Sequence, residues 1–109
     1  MTNMEKLQAF WEAKDLDGFL SMFTEDAVVR VLHENKTLEG EERVKRLTEM
    51  LLDEDTVSSE FRIVYENAEC AVTHEKISGE HFGAQVCIVQ LWRGGQVYHM
   101  EVGLINDNT

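Results

Sequence analysis

Four histidines, His33, His74, His81 and His99, are the side chains of this sequence best suited to acid–base chemistry or metal binding. A metal site needs ligands that converge, such as two histidines one helical turn apart on the same helix. None of the four has such spacing, and each lies in a strand-like or turn-like segment. We therefore expect no metal site and no cofactor, and we expect His81, in a turn, to be inert.

His74 is the candidate for a catalytic residue. It lies in the strand-like segment 69–78, where alternation puts it on the same face as Val72. Apolar neighbours such as Val89 and Met100 would desolvate the imidazole, lower its pKa and favour the neutral ring, which can act as a general base. The alternative is a histidine of the core or the pocket rim whose nitrogen atoms are satisfied by hydrogen bonds.

Capping signals and apolar spacing predict three helices in the first half of the chain. Thr2 and Glu5 form a capping-box pattern before an apolar stripe, Asp15 caps a second short helix, and Gly40 opens a third. The expected buried face of the third helix consists of Val44, Leu47, Met50 and Leu51.

Runs of β-branched and aromatic residues predict strands in the rest of the chain. The predicted segments are 27–33, 61–65, 69–78, 82–92 and 97–105, with a stub at 37–38. Gly94-Gly95 fits a two-residue hairpin turn, and Gly79-Glu80 is a weaker signal of the same kind. Helices first and strands later favour an α+β fold, and 109 residues fit a single domain, 1–109.

The two turns set a strand register and hence two sheet faces. They place Leu91 opposite Tyr98 and His74 opposite Gln85. The expected concave face carries Cys70, Val72, His74, Cys87, Val89, Leu91, Tyr98, Met100 and Val102. The expected outer face carries Ala71, Thr73, Ala84, Val86, Ile88, His99 and Glu101. Because that outer face is unusually apolar, we expect a homodimer through it; the alternative is a sheet face with scattered apolar residues.

Charge and cysteine usage restrict the compartment and the partners. The formal net charge of −11 disfavours nucleic acid and anionic membrane as partners. The N-terminus lacks the basic start and apolar run of a signal peptide, and no apolar stretch is long enough to span a bilayer. Cys70 and Cys87, in apolar strands without a C-x-x-C motif, are interpreted as reduced thiols. We expect a cytoplasmic protein.

The segment from Leu7 to Val31 resembles the start of SnoaL-like and nuclear-transport-factor-2-like (ketosteroid-isomerase-like) proteins. The resemblance rests on an aromatic-bearing helix, Asp15-Leu16-Asp17-Gly18, Phe23 and Glu25-Asp26-Ala27. It implies a cone-shaped, curved antiparallel sheet packed with about three N-terminal helices. It also implies a deep apolar pocket between the helices and the concave face.

Isomerase members of that family carry a carboxylate base, a tyrosine donor and an acid, and these positions fall here on Val31, Leu7 and Cys87. The expected pocket residues are Trp11, Val31, His33, Cys87, Val89, Tyr98 and Met100, although each could instead belong to an ordinary core. The resemblance implies a domain that binds a small apolar molecule, and it leaves open an isomerase, cyclase or hydrolase activity. The alternative is a non-catalytic homodimeric binding or interaction domain.

Overall fold

A computed structural model describes residues 1–79 and 83–107. Its helices are α1 (Asn3–Ala13), α2 (Leu16–Ser21) and α3 (Gly40–Leu52), and a short 3-10 turn spans Leu32–Glu34. Its strands are β1 (Phe23–Val31), β2 (Lys36–Leu38), β3 (Val57–Glu66), β4 (Cys70–Ser78), β5 (Gly83–Arg93) and β6 (Gln96–Asp107). Within the described residues, no helix combines the length and the apolar character needed to cross a membrane.

The six strands form one open sheet in the order β2-β1-β6-β5-β4-β3. The strand pairs are antiparallel except β1 and β6, which run parallel, so the sheet is mixed. The predicted α+β fold of three helices on a curved sheet is confirmed, and the parallel pair is its one departure from an all-antiparallel sheet. The buried core lies between the helices and the sheet and includes Met4, Leu7, Phe19, Phe23, Leu51, Ala71, Trp92 and Val97.

Local signals fix the first two helices as the sequence indicates. The Thr2 hydroxyl accepts a hydrogen bond from the Glu5 amide at 3.2 Å, and the Glu5 carboxylate accepts one from the Thr2 amide at 3.0 Å. The Asp15 carboxylate accepts a hydrogen bond from the Gly18 amide at 3.0 Å. A Cβ atom on Gly18 would lie 2.4 Å from the Phe10 ring, so the glycine permits close packing of α2 on α1.

Helix α3 buries Leu47 and Leu51 as predicted, but Arg43 takes the place predicted for Val44. Arg43, Leu47 and Leu51 are buried, whereas Val44 is 38% exposed. The guanidinium of Arg43 lies 5.7 Å from the centre of the Phe23 ring, and burial lowers the pKa of this arginine. The prediction of Val44 in the buried face was therefore wrong, because the long arginine stem covers apolar surface in its place.

A β-bulge in the last hairpin shifts the predicted register by one residue. Gly94 and Gly95 have positive φ angles of 58° and 81°, and Arg93 pairs with Gln96 as the turn predicts. The register then slips, so that Leu91 pairs with His99 and not with Tyr98. From that point on, every pairing predicted between β5 and β6 was wrong by one residue.

The register between β4 and β5 differs from the prediction by two residues. Ser78 pairs with Gly83, and His74 pairs with Cys87 instead of Gln85. Glu80 of the predicted Gly79-Glu80 turn lies outside the described residues. Because of the bulge in β6, Met100 pairs with Gln90 and not with Val89. Met100 and Val89 therefore lie on opposite faces of the sheet. The predicted faces of β4 and β5 were consequently reversed: Ala71, Thr73, Glu75 and Val86 are the buried members.

Strand β3 forms one edge of the sheet and is irregular. Its pairing with β4 shifts between Ser59 and Arg62 and again between Ile63 and Tyr65. Glu60, inside the first irregularity, has a φ of +53°. The side chain of Val64, inside the second, is 46% exposed.

Candidate functional site

A cavity of about 960 Å³ lies among α1, α3 and the concave face of the sheet. Its apolar walls come from all three elements and include Trp11, Val31, Leu47, Val86, Met100 and Val102. Such a volume falls within the range that small-molecule sites occupy in proteins.

A charged cluster lies on one wall of the cavity. The 3-10 turn after β1 brings His33 and Glu34 to the wall, where Arg46 of α3 also lies. Arg46 donates two hydrogen bonds to the Glu34 carboxylate, at 3.1 and 2.5 Å. This pairing lowers the pKa of Glu34 and raises that of Arg46. The two charges therefore neutralise each other on the cavity wall.

A second polar pair, Ser58 and Glu75, joins β3 to β4. Ser58 lines the cavity, and its hydroxyl is hydrogen-bonded to Oε2 of the buried Glu75 carboxyl group. Burial raises the pKa of Glu75, and the hydrogen bond from Ser58 offsets part of that shift. A carboxyl group in such a place holds its proton to a higher pH than an exposed glutamate does.

Glu75 should make folding stability depend on pH. Its pKa is raised in the folded state above the ordinary 4.5, so the folded protein holds this proton where the unfolded chain has released it. Its contribution to stability is present below pH 4.5 and is lost as the pH rises through the folded pKa. Glu75→Gln should therefore be more stable than the wild type near neutral pH, and this advantage should shrink on acidification.

Urea unfolding of both proteins across a pH series would measure that difference. Glu69→Gln, which changes an exposed glutamate just before the same strand, is the matched control and should show no such trend. A Glu75→Gln advantage that stays constant with pH would contradict the expectation.

His74 lies on the outer face of the sheet and not in the cavity, which corrects the predicted inward placement. Its Nδ1 atom is 2.9 Å from Nη2 of Arg62, and Cys87 is its cross-strand partner. It borders a small surface depression of about 250 Å³ together with Lys76 and Gln85. The catalytic role proposed for His74 thus loses the apolar enclosure that motivated it.

The predicted pocket residues divide into two groups. Trp11, Val31, His33 and Met100 line the cavity. Cys87 and Val89 alternate with the cavity residue Val86 and lie on the outer face, and Tyr98 packs beneath the guanidinium of Arg93 at 4.5 Å. Leu7, the family's tyrosine position, is buried in the core. His81 lies outside the described residues.

Sequence reasoning missed Ser58, which precedes the predicted strand 61–65. It also missed Glu75, because alternation with the inward-predicted His74 puts Glu75 on the outer face. No other signal in the sequence identifies them, since a serine and a glutamate in strands are most often exposed. His99 lies on the outer face as predicted, with Nε2 2.9 Å from the Glu101 carboxylate. In the part of the chain that the structure describes, no three His, Cys, Asp or Glu side chains converge as metal ligands.

The three helices and the mixed sheet have the α+β cone fold of solved NTF2-like structures. The family model of the SnoaL-like domain matches residues 4–108, so the chain belongs to the SnoaL-like family. No curated protein matches it in sequence.

Solved structures resemble the chain in fold at low sequence identity. A candidate ketosteroid isomerase from Kribbella flavida has a TM-score of 0.80 at 10% identity, covering 95% of this chain and 76% of its own. A steroid delta-isomerase from Pseudomonas aeruginosa has a TM-score of 0.73 at 16% identity, with coverages of 95% and 77%. An LEH-like epoxide hydrolase from M. tuberculosis has a TM-score of 0.66 at 14% identity, with coverages of 94% and 79%.

Proposed function

We propose that this SnoaL-like domain binds a small apolar molecule in the cavity between its helices and its sheet. The observation that carries the proposal is the cavity itself, with walls that include Trp11, Val31, Val86 and Met100. Transfer of apolar surface from water into such a space is favourable, at roughly 25 cal/mol per Å². The proposed activity, if the bound molecule is turned over, is of the isomerase, cyclase or hydrolase type; the structural relatives include a steroid delta-isomerase and an epoxide hydrolase.

A thermal-shift screen with steroids, terpenoids and aromatic acids would test this function. A ligand that binds only the folded state raises the melting temperature. Ala84→Trp, which places an indole in the cavity wall, should abolish the shift produced by any ligand found. Ala68→Trp, at an exposed bend outside the cavity, is the control and should keep it. If the ligand still raised the melting temperature of the Ala84→Trp variant, it would bind outside the cavity and the proposal would be refuted.

We also propose that the protein is a homodimer through the outer face of the sheet. The described register puts Cys70, Val72, Cys87, Val89 and Leu91 on that face, in place of the predicted Ala71, Val86 and Ile88. The paired His99 and Glu101 side chains lie beside them. A half-buried, largely apolar patch of this kind suits an isologous interface.

Val89→Asp should dissociate the proposed dimer, because it would bury an unpaired charge at the interface. Light scattering at micromolar concentration should give twice the chain mass for the wild type and a single chain mass for the variant. Glu60→Asp, at an exposed position of β3, is the control. A monomeric wild type would refute the dimer. It would leave cavity binding unaffected.

A cytoplasmic location without nucleic-acid partners completes the proposal. It is supported by the net charge of −11, which repels polyanions, and by two free, half-buried thiols. Fractionation of cells that express the tagged protein would test the location. A wholly membrane-bound or secreted pool would contradict it.

A further inference from the structure

The pair formed by Ser58 and Glu75 connects a buried carboxyl group to the wall of the cavity. Glu75 is only 9% exposed, and among the described residues no cation pairs with its carboxyl group. Ser58 is hydrogen-bonded to that carboxyl group and lines the cavity as well. The Ser58 hydroxyl group is therefore the contact through which the protonation state of Glu75 affects the cavity.

The direction of this hydrogen bond depends on the proton of Glu75. A neutral carboxyl group can donate to Oγ of Ser58, which leaves the serine O–H free to donate to a molecule in the cavity. An ionised carboxylate only accepts hydrogen bonds, so the serine O–H then turns toward Glu75. The cavity gains a hydrogen-bond donor in the first state and loses it in the second.

Other charged groups lie near Glu75 and belong to the strands around it. Glu60 and Arg62 of β3, His74 and Lys76 of β4, and the neutral Gln85 of β5 border the depression that Glu75 also lines. Arg62 already contacts His74 at 2.9 Å. None of these side chains is hydrogen-bonded to Glu75. Among the described residues, the hydrogen-bond partner of its carboxyl group is Ser58.

We propose that Ser58 and Glu75 form a hydrogen-bond donor site that selects apolar ligands bearing an acceptor oxygen, such as a ketone carbonyl. Ser58 donates to the ligand oxygen, and protonated Glu75 holds the serine in the donating orientation. Ser58 contacts the ligand, whereas Glu75 acts as a positioning residue. This inference rests on the proposed function, because it assumes that the apolar ligand occupies the cavity.

Two nearly isosteric probes test the donor site: 2-acetylnaphthalene, a ketone, and 2-isopropenylnaphthalene, the matching hydrocarbon. Titration calorimetry of the wild type across a pH series should show about fivefold tighter binding of the ketone at the acid end, the effect of one net hydrogen bond. This preference should shrink toward equal affinity as the pH rises through the pKa of Glu75, which burial raises, because the ionised carboxylate recruits the serine O–H.

Three variants separate the roles of the two residues. Ser58→Ala should abolish the ketone preference at every pH. Glu75→Gln should keep the preference and make it independent of pH, because the amide N–H₂ still donates to Ser58. Ser78→Ala, a serine of β4 outside the cavity, is the matched control and should behave as the wild type does.

The outcomes distinguish this inference from the function on which it rests. Equal binding of ketone and hydrocarbon by the wild type would overturn the donor site and leave the apolar cavity supported. A ketone preference that survives Ser58→Ala, or one that keeps its pH dependence in Glu75→Gln, would also overturn it. If neither probe binds the wild type, the proposed function fails for this ligand class and the donor site fails with it.

Discussion

Replacing Trp92 by alanine is expected to lower the free energy of unfolding by about 3–5 kcal/mol. Trp92 is a large core residue, 4% exposed, on the face of β5 that packs toward the helices. Its removal would leave a cavity that the surrounding sheet can fill only in part. Urea denaturation with a two-state fit would measure the loss.

Trp92→Phe is the matched variant for that experiment. The indole Nε1 of Trp92 has no hydrogen-bond partner among the described residues, so removing the N–H forfeits no bond. Phenylalanine keeps most of the apolar volume, and we expect a loss well below that of alanine. If phenylalanine proved as damaging as alanine, the indole N–H would have to be bonded in the folded state.

Replacing Ala71 by aspartate is expected to destabilise the fold by about 3–5 kcal/mol, because it leaves an uncompensated charge in the interior. Ala71 is 0% exposed in the structure. Circular dichroism during thermal unfolding would report a strongly lowered melting temperature.

Val72→Asp is the adjacent control, because Val72 lies on the opposite face of the same strand. It should leave the melting temperature of the monomer close to that of the wild type, even if it disturbs association. The two variants thus test which face of β4 is inward. The reverse ranking would contradict the described register.

Local signals in the sequence were sufficient to predict the helices and the last turn. The Thr2 and Glu5 capping box, the Asp15 cap and the Gly94-Gly95 turn all depend on residues a few positions apart. Such features follow from backbone geometry alone, and distant parts of the chain scarcely alter them. This is why α1, α2 and the Arg93–Gln96 pairing agree with the structure.

The inward face of the sheet could not be predicted by the same means. Both faces of β4 and β5 carry apolar residues, so alternation does not favour one over the other. The inward face was predicted from the register that the turns set. One bulged residue at Tyr98 shifts that register and so reverses the predicted face. On β1 the resemblance to the family indicated the inward face, and there Val31 lines the cavity. Met100 of β6, placed on the concave face by the turn register, lines the cavity as well.

The candidate site could be predicted only in part, for the same reason. The placement of Trp11 on α1, of Val31 at the end of β1 and of His33 just after it depends on local order along the chain. Glu75 can be identified as a candidate site residue only when its burial is known, because a glutamate in a strand is ordinarily exposed to solvent. Its pairing with Ser58 joins positions 17 residues apart, which only the β3–β4 register brings together.

The irregular edge strand β3 has a consequence for the solubility of the folded protein. An exposed edge bearing apolar side chains offers unpaired N–H and C=O groups on which another chain can build cross-β stacks. The shifts that flank Glu60 and Val64 interrupt the even spacing of those groups, so a flat strand from a second molecule cannot pair along the whole of β3. Removing these two irregularities, so that β3 becomes a regular edge strand, should therefore promote aggregation. This effect does not depend on any ligand in the cavity.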